Sequence, residues 1–119
     1  TGCVAFEETI PIDENETAQS LYGRAARAGL VAFDRLIQSL LDDADIPKTP
    51  LRSKGKFYPR SSIDQLREIR VLDDAQEVDR KSRAFYFPPF EPAYIMRRNR
   101  KYYVLPGSTQ FEALPRARN

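Results

Sequence analysis

Apolar residues keep a helical spacing in one long stretch of this chain. Over residues 17–43, Leu21, Ala25, Gly29, Phe33, Leu36 and Leu40 fall on one face, and Tyr22, Ala26, Leu30, Ile37 and Leu41 flank it. That spacing predicts an amphipathic helix with Arg24, Arg27, Asp34 and Asp42 mostly outside the apolar stripe. The polar turn ahead of it, Asp13-Glu14-Asn15-Glu16-Thr17, supplies N-cap residues and first-turn acids. Gly23 and Gly29 each weaken such a helix by roughly 1 kcal/mol relative to alanine. Gly29 lies in the stripe, where close packing against a sheet is a simpler reading than contact with a ligand. Upstream, residues 3–12 alternate loosely through Val4, Phe6, Ile10 and Ile12, which predicts a strand that nears an edge at Pro11.

The pattern is more broken beyond the helix. Residues 44–62 read as a loop, with Pro47 and Pro50 around Lys48-Thr49 and a second turn at Gly55. Ser61 and Ser62 precede Ile63-Asp64-Gln65-Leu66, enough for a single helical turn, and residues 69–72 form a short apolar patch. Asp74-Ala-Gln-Glu77 resembles a capping box with Asp in the first position. It opens a helix of about three turns that reaches Phe85, with Val78 and Ala84/Phe85 inward. Residues 93–105 predict a hairpin: strands at Ala93–Met96 and Lys101–Leu105, with Arg97-Arg98-Asn99-Arg100 as the turn. Residues 106–119 read as a tail. The order of elements points to an α+β fold, or to the end of an α/β domain followed by a small appendage. The corresponding divisions are 1–45, 46–105 and 106–119.

Between the second helix and the hairpin lies Arg83-Ala-Phe-Tyr-Phe-Pro-Pro-Phe-Glu-Pro-Ala-Tyr94, with five aromatic residues and three prolines. Pro88, Pro89 and Pro92 each lack a backbone donor and fix φ, so this run is neither a continuous helix nor a central strand. It is an extended, ordered turn set with rings, and rings on such a loop either close a core or receive a flat ligand.

Composition narrows the possibilities. The 119 residues suffice for one small domain, and the net charge of +2 is too small to point to a nucleic-acid partner. Cys3 is the lone cysteine, so there is no internal disulfide, in keeping with a reducing compartment. No run of about 18 apolar residues exists to span a membrane. There is no histidine, which removes Ser/His/Asp and Cys/His sets and His-containing metal sites. No glycine-rich phosphate loop of the dinucleotide or Walker type is present.

Three basic features remain. Arg60 follows Phe57-Tyr58-Pro59, and an arginine held there either grips a phosphate or carboxylate in bidentate fashion or stacks on Tyr58 at the surface. Arg83 lies near a helix C-terminus, where its charge complements exposed carbonyls. Arg97, Arg98, Arg100 and Lys101 form a solvated turn that discourages edge pairing, or a weak nucleic-acid contact.

Taken in order, these segments resemble the later part of a folate-dependent formyltransferase. The resemblance rests on Thr1-Gly-Cys-Val-Ala-Phe-Glu-Glu-Thr-Ile-Pro-Ile12, on the helix containing Thr17-Ala-Gln-Ser-Leu-Tyr22, on Lys56-Phe-Tyr-Pro-Arg60, and on the helix ending at Arg83-Ala84 before the proline-rich run. It covers about residues 1–105. Within that family, the Phe-Tyr-Pro-Arg and aromatic–proline segments are most similar to sugar N-formyltransferases, and Arg60 and Arg83 also match the formyltransferase half of the arabinose-lipid pathway enzyme.

The resemblance implies transfer of a formyl group from 10-formyltetrahydrofolate to the amine of a nucleotide-linked amino sugar. It places the catalytic Asn, His and Asp upstream of Thr1, so this stretch holds no catalytic residue, does not bind the folate by itself and is inactive alone. By position, Arg60 would contact the phosphate or sugar oxygens, Tyr58 would line the pocket, and Arg83 with Tyr86 would support or line it. The same resemblance implies a cytoplasmic protein and a homodimer formed through the C-terminal hairpin, with no membrane partner. Two other readings stay open: a methionyl-tRNA formyltransferase-like protein, and a non-catalytic binding or interaction module.

Overall fold

A computed structural model describes residues 2–52, 55–70 and 72–107. Its elements run α1 (Ala18–Leu41), α2 (Ser61–Leu66), α3 (Ala75–Ala84), β1 (Tyr94–Arg97) and β2 (Arg100–Tyr103). The described residues fall into two compact units. The first holds the chain up to Asp13 together with Leu21–Phe57; the second holds Glu14–Ser20 and the chain from Tyr58 onward.

In the first unit, the strand expected over residues 3–12 is reduced to one antiparallel bridge. Val4 and Thr49 exchange both backbone bonds, at 2.8 and 2.9 Å. A ladder cannot easily extend along a partner segment that has Pro47 and Pro50 on either side of Thr49, because proline donates no hydrogen bond. Glu8 is instead fixed by an ion pair to Arg35 of α1.

Local rules govern both ends of α1. Thr17 and Ser20 form a reciprocal cap: Ser20 N–H donates to Thr17 Oγ1 at 3.1 Å and Thr17 N–H donates to Ser20 Oγ at 2.9 Å. At the far end, Asp43 takes φ 51°, Ala44 N–H donates to the Ser39 carbonyl, and Asp43 N–H reaches that of Leu40. This is a Schellman closure with aspartate in the left-handed position that glycine usually takes.

The second unit has a small core of Ile69, Ala93 and Val104, against which Val78, Phe85 and Ile95 pack. Ala84, expected to share the inward face of α3 with Phe85, is exposed. The N-terminus of α3 forms as expected, with Asp74 Oδ1 accepting from Glu77 N–H at 2.8 Å. Lys81 ties that helix to the preceding loop through the Asp73 carboxylate at 2.7 Å and the Glu68 carbonyl at 2.9 Å.

The hairpin pairs Tyr94 with Tyr103 and Arg97 with Arg100. Its turn is therefore the two residues Arg98-Asn99, shorter than the four-residue turn expected. Both have positive φ, 46° and 60°, the type I′ geometry that matches the twist of the flanking strands. Asparagine tolerates that region, and Arg98 adopts it at some cost in strain. A parallel bridge between Glu68 and Tyr94 adds the segment before α3 to the open edge of β1. Tyr94 N–H donates to the Arg67 carbonyl and Ile69 N–H to that of Tyr94. The tail expected over residues 106–119 lies outside the described residues from position 108 on, as does Val71 of the apolar patch.

Candidate functional site

The aromatic–proline run is an ordered turn. Phe90 N–H donates to the Phe87 carbonyl at 2.9 Å across a cis Pro88–Pro89 bond, the arrangement of a type VI turn. The Phe87 and Phe90 rings stand 5.8 Å apart and tilted by 55°. With Tyr86, Pro92, Tyr103 and Leu105 they wall a cavity of about 550 Å³. Its walls are mainly rings and proline faces, the composition of a site that accepts flat or apolar groups.

Glu91 is the one charged residue in its wall. Glu91 Oε1 accepts from Lys101 Nζ at 2.8 Å and from the Tyr103 hydroxyl at 2.5 Å, while Oε2 lies 3.0 Å from Arg67. Arg67 also donates to the Glu91 carbonyl at 3.1 Å and pairs with Asp64. Lys101 Nζ stands 4.5 Å above the Tyr94 ring. One acid thus joins the residue that caps the end of α2, the proline turn and strand β2. Burial pushes the Glu91 carboxyl up, but the bonds from Lys101 and Tyr103 and the charges of Lys101 and Arg67 outweigh it, so its pKa lies below the ordinary value.

Tyr103 responds in the opposite sense. Its bond to Glu91, then burial and the carboxylate charge, push the phenol up to about 12 from 10.0. Near neutral pH the pair is therefore a fixed carboxylate and a fixed neutral phenol, suited to holding shape and not to moving protons. Because the folded value lies above the unfolded one, this stabilisation is complete below pH 10 and is lost as the pH rises towards 12. The Tyr103→Phe variant should show a shallower loss of stability across that window in urea titrations at stepped pH; an unchanged slope would refute the assignment.

Of the residues expected at a site, Tyr86 is in the cavity wall. Arg83 is turned to other work: Nε donates to Asp79 at 2.9 Å and NH1 to the Glu16 carbonyl at 3.1 Å. With Gln19 N–H donating to the Tyr86 carbonyl at 3.1 Å, it ties Glu16 and the first turn of α1 to the end of α3 within the second unit. Arg60 is exposed at the start of α2, and Tyr58 is 67% exposed. Neither they nor Arg83 wall the cavity. Sequence reasoning missed Glu91, Arg67 and Tyr103; the available signal was a single acid set in an apolar, proline-rich run. Among the described residues, no group of three or more His, Cys, Asp or Glu side chains could hold a metal ion, and no helix is long and apolar enough to cross a membrane.

Over 107 residues, 87% of its length, the chain is 31% identical to the GDP-perosamine N-formyltransferases of Brucella melitensis and Brucella abortus. The chain is related to the formyltransferases. It is also 32% identical over 95 residues, 80% of its length, to the methionyl-tRNA formyltransferase of Dichelobacter nodosus. No sequence-family model matches it. Its fold is that of part of two solved formyltransferase structures. A 4-N formyltransferase from Francisella tularensis covers 95% of the chain with a TM-score of 0.76 at 17% identity. A sugar N-formyltransferase from a Shewanella species covers 87% with a TM-score of 0.71 at 20% identity. The chain spans 39% of the length of its Brucella relatives and 30% of that of the Dichelobacter protein.

Proposed function

We propose that this chain is part of a sugar N-formyltransferase that transfers a formyl group from 10-formyltetrahydrofolate to the amine of a nucleotide-linked amino sugar. The observation that carries this reading is the 31% identity to GDP-perosamine N-formyltransferases along 87% of the chain. In this reading residues 1–45 close a Rossmann-like catalytic domain, residues 46–105 form a C-terminal subdomain, and 106–119 are its tail. The catalytic Asn, His and Asp belong to upstream polypeptide.

The formyl donor does not fit the cavity described above. A pterin needs several free hydrogen-bonding groups, whereas Glu91 and Tyr103 are committed to each other and to Lys101 and Arg67. The donor, which supplies the formyl group, is therefore assigned to other residues. What this chain contributes is acceptor binding. Tyr86 presents a ring in an apolar wall, and Arg60 is exposed and able to meet a phosphate in bidentate fashion. Tyr58 stands two residues before Arg60 and would line the acceptor site. Arg83 supports it indirectly through its bond to Glu16.

The test is to incubate the longer polypeptide with 10-formyltetrahydrofolate and GDP-, dTDP- or UDP-linked amino sugars, with initiator methionyl-tRNA in parallel. A formamide on a nucleotide sugar is expected. Formylation of methionyl-tRNA alone would favour the reading that the Dichelobacter similarity raises, and no transfer to either would leave a binding module. If Arg60 grips the acceptor's phosphate, Arg60→Ala lowers kcat/KM for the nucleotide sugar by about 10- to 100-fold, the loss of one charge-assisted contact. The KM for the formyl donor stays unchanged. Wild-type kinetics with the sugar would reject the role.

A further inference from the structure

Phe90 is left 60% exposed, and the core of Ile69, Ala93 and Val104 does not use it. Its ring is nevertheless held in place. Its own N–H closes the proline turn on the Phe87 carbonyl, and the half-buried Phe87 ring backs it at 5.8 Å, tilted by 55°. Pro89 on one side and Pro92 two residues on fix φ nearby. A ring immobilised in this way has already lost most of its freedom, so a flat partner can stack on it at small entropic cost.

The cavity that Phe90 walls has its hydrogen-bonding groups largely spent. Pro88, Pro89 and Pro92 carry no backbone N–H. The N–H groups of Tyr86 and Phe90 go to the Arg83 and Phe87 carbonyls, and the Tyr86 carbonyl accepts from Gln19. The Glu91 carboxylate and the Tyr103 hydroxyl bond each other, and Lys101 and Arg67 are paired with the same carboxylate. Such a wall sorts the pieces of a nucleotide sugar. Sugar hydroxyls would leave water without gaining partners. Phosphates would face a wall whose one charged residue is an acid. A nucleobase offers a π-face, and its polar edge can stay in water on the open side of Phe90. It is also the part of the acceptor farthest from the reacting amine, beyond a pyrophosphate, so its edge need not be fixed. The pterin of the donor carries its formyl group close to the ring and has no such latitude.

We propose that this cavity seats the nucleobase of the acceptor by stacking on Phe90, with no side chain reading the base edge, so that purine- and pyrimidine-linked amino sugars are accepted alike. This rests on the reading above that the acceptor is nucleotide-linked. Stacking tolerates any base because every base has a π-face. Strong discrimination needs polar groups that are free to meet the edge and are left unpaired by the wrong ligand. Selection among acceptors therefore falls on the sugar and its amine, outside this cavity.

The test gives the longer polypeptide one amino sugar in four forms: linked to GDP, to UDP, to dTDP, and as its 1-phosphate, which has no base. The three nucleotide forms should have kcat/KM values within about 10-fold of one another, as stacking without edge readout requires. Phe90→Ala should lower all three by about 10- to 100-fold, the loss of one base stack, while the 1-phosphate loses less than about 2-fold. Phe90→Tyr, which keeps a ring, should retain the nucleotide forms. A preference above about 10-fold for one base would overturn the proposal. So would a Phe90→Ala loss of equal size with the 1-phosphate, the mark of a merely structural role, and so would wild-type kinetics in that variant. Calorimetric titration with free GDP and UDP needs no formyl transfer. If Phe90→Ala weakens both nucleotides in a protein that formylates no sugar, the functional reading fails alone. If sugars are formylated and nucleotide binding is indifferent to Phe90, this inference fails alone.

Discussion

Glu91→Gln lowers the stability of the second unit by about 2–4 kcal/mol. The glutamine side chain has nearly the same shape but replaces one acceptor oxygen with a donor, and it faces three donors. Lys101 and Tyr103 meet one oxygen of Glu91 and Arg67 meets the other. In one orientation of the amide Arg67 loses its acceptor, and in the other Lys101 and Tyr103 both do. Arg67 is the costly case, because its side chain is only 15% exposed and its Nε already lacks a partner. A largely buried guanidinium stripped of its carboxylate is expensive, since removing one member of a buried pair costs several kcal/mol. Asp64 remains beside Arg67 and keeps the loss below the upper end of that range. Urea denaturation at neutral pH measures the difference, and a change under about 0.5 kcal/mol would show that the cluster is ornamental.

The pH dependence gives an independent check on the same residue. The folded value of Glu91 lies below the ordinary 4.5. A depressed carboxylate contributes stability that is fully present above the unfolded value and is lost as the pH falls through the folded one. The gap between wild type and Glu91→Gln should therefore be constant above pH 4.5 and close below it. A gap that persists in acid would mean that lost packing, not charge, causes the effect.

The second large effect is expected at Ala93. This residue is fully enclosed, at 0% exposure, between Ile69 and Val104 at the base of the hairpin. Its carbonyl accepts from Val104 N–H at 2.9 Å, which ties the backbone to the segment just past β2. Ala93→Leu inserts three heavy atoms into a core of three buried side chains that has little room to rearrange. Overpacking of this kind costs about 1–3 kcal/mol, and a small core places the result toward the upper end. The measurement is the shift in thermal midpoint. Ala93→Gly serves as the reference, because it empties the site instead of filling it. A leucine variant as stable as wild type would show that the core around Ala93 is loose.

Both sites show where the sequence was informative. The helix from Ala75 to Ala84 was legible because its cap, Asp74 to Glu77, lies within three residues. The hairpin was legible because two apolar runs, Ala93–Met96 and Tyr102–Leu105, flank a basic turn that contains Asn99. The strand expected over residues 3–12 reduced to a bridge because a strand needs a partner, and the partner at Thr49 sits between prolines. Within the candidate site, the rings and prolines announced an ordered turn, and Tyr86, which the resemblance placed beside an acceptor pocket, lies in the wall of this cavity. Arg83 was read as complementing helix carbonyls; it does meet a carbonyl, but that of Glu16, 67 positions away.

By itself, then, the sequence determined the elements whose causes are local: the N-terminal caps of α1 and α3, the proline turn and the presence of a hairpin, though not its two-residue turn. In each, the interacting groups lie within about four residues, and propensity and capping decide the outcome. Only the tertiary structure decided that Glu91 gathers Arg67, Lys101 and Tyr103, across 24, 10 and 12 positions, and which apolar stripe of α1 this chain leaves uncovered. Those outcomes depend on which distant segments meet, and the apolar periodicity of a helix records that a face is to be buried without recording what buries it.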